Sequence, residues 1–197
     1  MFEPLKPCAG GFMRAFGAGV FIRDYLAGKG DKYGAPIIDP DVGATQQDIH
    51  RAYKEALHLA FAEDAASLDR EAAIRRGKPM TQAQAEERKE YYLARIPYRL
   101  TSMRYHSFLV YFGMFKRLLW VEPTGRVEVS VVQETMALKP DEEPRAAGQP
   151  RIYYRLTDKG RKAPLAQVSN PLRVLYPEFT SEYFRKQRKA KKYIRRK

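Results

Sequence analysis

The residues best suited to chemistry stand close together at Thr101, Ser102, Arg104, Tyr105 and Ser107. Hydroxyls can donate to a phosphate oxygen or pair with a base edge, and a guanidinium forks onto a phosphate or onto the two acceptors of guanine. At the start of a helix, this set suits phosphate anchoring and base readout. The plainer role for Thr101 and Ser102 is to cap that helix. A second set closes the chain: Arg185, Lys186, Arg188, Lys189, Lys191, Lys192, Arg195, Arg196 and Lys197. Residues 181 to 197 hold these nine cations against one Glu, a net +8 of the chain's +13. Such a segment neutralises several phosphates, which makes affinity steeply salt-dependent. RNA, an anionic membrane surface or an acidic protein patch would serve it equally well. Tyr183, Phe184 and Tyr193 could stack on exposed bases, although docking on the protein body is the more usual use of such rings.

Enzymatic chemistry finds no support in the residues. His50 and His58 are eight positions apart on one helix, too far for a single metal ion, and no carboxylate–histidine grouping has ligand spacing. His106 suits a nucleic-acid contact better than a general base. Gly17-Ala18-Gly19 follows no strand and lacks the third glycine of a dinucleotide fingerprint. The sequence DPDVG at 39–43 opens like a calcium loop but has no acidic ligand at the twelfth position. The single cysteine, Cys8, excludes an internal disulfide and a cysteine-based zinc site. No enzyme activity, cofactor or metal is therefore expected.

The elements that must position the candidate residues follow from periodicity. Residues 1–11 read as an irregular arm, Phe12 to Leu26 as a helix stopped by Gly28 and Gly30, and 29–43 as a loop that holds at most one short extended piece. From Thr45 to Phe61 the apolar residues Ile49, Ala52, Tyr53, Ala56, Leu57, Ala60 and Phe61 recur at helical spacing, with Thr45 as cap and Asp48 at capping-box distance. Residues 63–78 extend that helix or fray. Thr81 and Gln84 form a second capping-box signature, opening a polar helix that stops before Pro97. The helix 102–119 carries Phe108, Phe112, Phe115 and Leu119 on one stripe, with Lys116 and Arg117 as flanking surface cations.

Pro123, Thr124 and Gly125 read as a turn. After it Val127, Val129 and Val131 alternate with polar residues as in a half-buried strand. Residues 134–150 form a loop, and Arg151 to Leu156 a second strand that pairs antiparallel with the first. Arg126, Arg145 and Arg151 flank or lie in this loop and could meet a phosphate backbone. Glu134, Asp141, Glu142 and Glu143 would repel one, which favours a solvated loop. The chain then reads as irregular to Pro177, with Leu172, Val174 and Leu175 able to dock, before a basic helix from about 181 to 196. Segments 1–44, 45–165 and 166–197 are the expected arm, core and appendage.

At 197 residues and 44% hydrophobic content the chain can bury a real core. It contains no apolar run of membrane-span length and its start lacks a secretory signal, so a soluble, cytoplasmic protein is expected. The fold class expected is mainly α with a small antiparallel β-hairpin (α+β).

Helix 102–119, the exit phrase KRLLWVEPTG and the phrase RIYYRLTDKGRK together resemble the winged helix-turn-helix superfamily. In that family a phrase of the form Y-x-L-T-x-K-G follows the wing, where the strand ends in a tight turn back onto the helices. The resemblance covers about 60 residues firmly and implies a winged-helix core with extra N-terminal helices and a basic C-terminal helix. Two assignments of the preceding helices remain open. Either FIRDYLAGKG and ATQQDIHRAYKEAL are the first two helices, or 45–61 and 81–95 are, with IPYRL as the turn.

The resemblance implies a non-enzymatic DNA-binding protein, a transcription regulator or an accessory factor of a mobile element. Helix 102–119 would read a major groove of double-stranded DNA, Arg126 and Arg151 would touch the backbone, and the tail would grip phosphates. The alternative is an RNA-binding or adaptor component of a ribonucleoprotein. A homodimer through helix 12–26 or 81–95 is compatible with either.

Overall fold

The computed structural model describes residues 15–97, 103–128 and 150–179. The expected N-terminal arm, most of the acidic loop, Val129, Val131 and the basic C-terminal helix lie outside the described residues. The protein is mainly helical with a three-stranded antiparallel sheet.

Helix α1 spans Ala18–Leu26, so it begins later than its apolar pattern suggests. The cause is Gly17, an extended N-cap without a side chain to bond the first turn. Phe16 therefore leaves the helix, and its ring packs 4.6 Å from Tyr33 and 5.8 Å from Tyr53. The following loop is tied down by Asp24, which is only 4% exposed. Its carboxylate accepts hydrogen bonds from Arg23 (2.8 Å), Lys32 (3.0 Å) and the Tyr33 hydroxyl (2.7 Å). Burial pushes the Asp24 carboxyl up, but the bonds from Tyr33, Arg23 and Lys32 outweigh it and hold the group below its ordinary value.

Strand β1 is the pair Ala44–Thr45, set against β3 (Arg151–Leu156) with Ala44 opposite Tyr154 and Thr45 opposite Tyr153. The loop reading of 29–43 anticipated no strand after it, because two residues are too few to show a period of two. Gly43 makes the pairing possible: its φ is +72°, and a Cβ there would sit 2.1 Å from the Tyr154 carbonyl oxygen.

Helix α2 runs from Gln46 to Arg75, 30 residues and on the order of 45 Å. Thr45 caps it, accepting from the Asp48 amide at 3.2 Å while its hydroxyl donates to the Asp48 carboxylate at 2.6 Å. The segment 63–75 thus extends the helix. Helix α3, Gln82–Arg95, opens with a complete Thr81–Gln84 capping box and folds back along the distal half of α2. His58 donates to the Leu93 carbonyl at 2.9 Å and Tyr92 to Asp69 at 2.9 Å, which closes the hairpin, although no residue of α3 itself is buried.

Helix α4, Tyr105–Arg117, buries Phe108, Phe112 and Phe115. It starts at Tyr105 rather than Ser102, with Arg104 in extended conformation as N-cap. Leu119, expected on its buried stripe, is outside the helix and 65% exposed, with φ +57°. The left-handed residue lets the Trp120 amide reach back to the Phe115 carbonyl (2.9 Å) and the Leu119 amide to Lys116 (3.0 Å), a Schellman ending that drops Trp120 into the core.

Strand β2, Val121–Glu128, then begins immediately, and Pro123-Thr124-Gly125 is a bulge within it rather than the turn before it. Between Pro123 and Val127, β2 advances four residues while β3 advances only from Tyr154 to Ile152. Val127, paired with Ile152 beyond the irregularity, is 53% exposed and Ile152 38%, so this end of the hairpin lies outside the core. The hairpin itself is antiparallel, with Val121 opposite Leu156 and Glu128 opposite Arg151, and the sheet order is β1-β3-β2.

Thr157 then caps a short helix, α5 (Asp158–Lys162), and two more follow, α6 (Leu165–Ser169) and α7 (Pro171–Leu175), where the sequence reads as irregular. Helices this short leave no periodic trace. Val168 of α6 is fully buried beside α1, at a spot where a Cβ on Gly19 would lie 2.1 Å from its carbonyl oxygen. One core thus draws Phe21, Ile22 and Leu26 from α1, Tyr53 and Leu57 from α2, the α4 phenylalanines, Trp120, Tyr154, Leu156 and Val168, with Val174 and Leu175 packed at its margin.

Candidate nucleic-acid interface

The described cations and hydroxyls of the candidate set do not all gather. Thr101, Ser102 and the cations from Arg185 to Lys197 lie outside the described residues. Arg104, Tyr105, His106 and Ser107 are exposed at the head of α4, but only the last three belong to the helix. The N-cap is Arg104, whose side chain makes no capping bond.

Tyr105 and Arg151, far apart in the chain, do meet. Both line one cleft of about 280 Å³ together with Thr45, Gln46, Gln47, Pro150, Ile152 and Tyr154. Burial raises the Tyr105 phenol above its ordinary value, and the nearby positive charge of Arg151 partly offsets the rise. The Arg151 Nε is buried without a hydrogen-bond partner. Thr45, Gln46 and Gln47, at the start of α2, line the same cleft, which sets it beside the positive end of a long helix dipole. Gln46 and Gln47 thus join the cleft lining although the sequence marks neither as a candidate. Their signal was available in the Thr45 cap, but which side of α2 meets Tyr105 was not.

Arg126 is placed otherwise. Its guanidinium lies over the Tyr153 ring at 4.4 Å, and Tyr153 lines a different cleft with Tyr25, Ile38, Asp48 and Arg51. Arg126 is thus not among the residues that line the cleft with Tyr105 and Arg151. Lys116 and Arg117 are exposed flanking cations: Lys116 reaches the Tyr154 hydroxyl at 3.5 Å, and Arg117 donates to that of Tyr176 at 3.3 Å.

Packing also separates the two candidate helix pairs. The N-terminal half of α2 lies against α4, with the His50 ring 5.1 Å from that of Tyr105 and 5.2 Å from that of Phe108. Helix α3 packs along the distal half of α2. Among the described residues no three His, Cys, Asp or Glu side chains are grouped to hold a metal ion, and no helix is long and apolar enough to cross a membrane.

No family model matches this chain, and no curated protein or solved structure matches it either.

Proposed function

We propose that this protein is a non-enzymatic DNA-binding protein of winged-helix type, with the head of α4 entering a major groove and the C-terminal cations adding grip that does not depend on sequence. The observation that carries the reading is the convergence of Tyr105, Arg151 and the first turn of α2 on one cleft. A phosphate at the cleft mouth would find a phenol, a guanidinium and the positive end of a helix dipole within one small space. Two further features support it. Strand β1 ties the hairpin to the residues just ahead of α2, so helix pair and hairpin hold a fixed relation. The net charge of +13 favours a polyanion.

Fluorescence anisotropy with duplex DNA at low salt tests the proposal. Binding that weakens steeply as salt rises is the expected result; no binding at low salt ends it.

One observation favours the second reading, an adaptor or RNA-binding component of a larger assembly. The outer stripe of α4 is mostly apolar, and Leu109, Val110, Gly113 and Met114 form a groove of about 510 Å³ with Leu172 and Leu175 of α7. An apolar groove suits protein contact better than a phosphate backbone. Tighter binding to structured RNA than to duplex DNA would favour this second reading.

A further inference from the structure

We infer that His50 is a positioning residue, a latch that holds the head of α4, and with it Tyr105, in register with the cleft. The inference rests on the DNA-binding reading for its consequence, but its geometry stands apart from it. Helix α4 has Arg104 as its N-cap, whose side chain makes no capping bond. Its first turn closes through the Phe108 amide to the Arg104 carbonyl at 3.1 Å. What secures the chain just before that turn comes from another element: His50 Nε2 donates to the Met103 carbonyl at 2.8 Å. A carbonyl acceptor requires the proton on Nε2.

The ring of the same histidine lies edge-on to Tyr105 at 5.1 Å and tilted against Phe108 at 5.2 Å, while Tyr105 stacks on Phe108 at 6.3 Å. His50 therefore grips the chain on both sides of Arg104. Its own position is firm, because it sits one turn inside a capped helix between buried Ile49 and, on the next turn, buried Tyr53. Met103 is itself 3% exposed, so its carbonyl would lose its histidine partner in a place with little water to replace it. Burial holds the imidazole below its ordinary pKa, with the charge of Lys54 adding to the effect and the bond to the Met103 carbonyl opposing it.

The test separates a hydrogen-bond latch from mere packing by changing donor and bulk independently. His50→Leu keeps the bulk and removes the donor. His50→Gln keeps an N–H donor at nearly the same reach and removes the ring. Two readouts apply to the full chain: amide hydrogen exchange at Tyr105–Phe108 in the free protein, and affinity for duplex DNA.

In His50→Leu, exchange at Phe108 should rise about tenfold and DNA affinity should fall about tenfold, whereas His50→Gln should stay within about twofold of the parent on both. If His50→Gln is as impaired as His50→Leu, or if His50→Leu leaves the Phe108 exchange unchanged, the latch is wrong. Should His50→Leu fail to fold, His50→Asn replaces it, an amide too short to reach Met103, and the same Gln-against-Asn contrast decides. A parent protein that binds no duplex DNA overturns the DNA reading, while the exchange contrast in the free protein still decides the latch.

Discussion

Tyr105 and Arg151 face one cleft from the two ends of the site, one at the first residue of α4 and the other at the first residue of β3. The phenol is pushed up by burial, and the guanidinium answers part of that shift, so the two groups share an electrostatic environment without an ion pair between them. A ligand that enters the cleft meets both at once.

Replacing Arg151 should therefore cost binding more than stability. Its Nε has no internal partner to lose, so Arg151→Ala should melt within a few degrees of the parent. Duplex affinity should fall about five- to tenfold at low salt, and the log–log salt slope should decrease by about one, as for one phosphate contact. Arg126→Ala, whose cation rests on Tyr153, should change both less. Anisotropy titrations across a salt series measure all of this, and equal losses for the two variants would remove Arg151 from the site.

Removal of residues 181–197 takes away nine cations. Binding should weaken by a similar factor on every duplex tested, with a shallower salt slope, because phosphate contacts carry no sequence information. Arg104→Ala should instead narrow the gap between preferred and random sequences. Paired titrations on a selected and a scrambled duplex distinguish the two patterns.

Asp24 should make the protein acid-sensitive. Its carboxyl is held below the ordinary value in the folded state, against the pull of burial, by Tyr33, Arg23 and Lys32. The unfolded state thus takes up the proton first as pH falls. The stabilisation is complete above about pH 4 to 5 and is lost as pH drops through the folded-state value. Asp24→Asn should cost roughly 2 to 3 kcal/mol at pH 7 and show a smaller loss of stability between pH 5 and 3 than the parent. Urea melts at several pH values give the comparison; parallel curves would show that Asp24 contributes nothing to the acid limb.

Leu119 sits at φ +57° with its side chain exposed. A non-glycine residue pays about 1 kcal/mol in that conformation, and the backbone bonds of the Schellman ending do not use the side chain. Leu119→Gly should stabilise the protein by about 0.5 to 1 kcal/mol, read as a higher urea midpoint at unchanged slope. A drop in midpoint would mean that the exposed side chain makes contacts that outweigh the backbone relief.

Local signals carried much of the fold in the sequence. The Thr45 cap, the Thr81–Gln84 box and the phenylalanine stripe of α4 are interactions within three or four residues, and each element stands where its pattern places it, to within its ends. The strand 151–156 and its antiparallel pairing were legible for the same reason, an alternation bounded by turn residues. Elements too short to repeat their period were not: β1 has two residues, a single period of a strand, and α5, α6 and α7 have five each, less than two helical turns. The break between α4 and β2 was misplaced because Pro123-Thr124-Gly125 has turn chemistry. The chain turns instead at Leu119, whose residue type carries no such mark.

The sequence alone determined composition, charge and the segregation of cations toward the end of the chain, together with the helices whose periodicity and caps are local. The site was decided only by tertiary structure. That Tyr105 shares a cleft with Arg151 and Gln46, that Arg126 does not, and that His50 reaches the Met103 carbonyl all follow from how α2, α4 and β3 pack. The reason is range: caps and periodicity are set by neighbours within a few residues, whereas convergence depends on which faces the whole core buries, and no single segment encodes that.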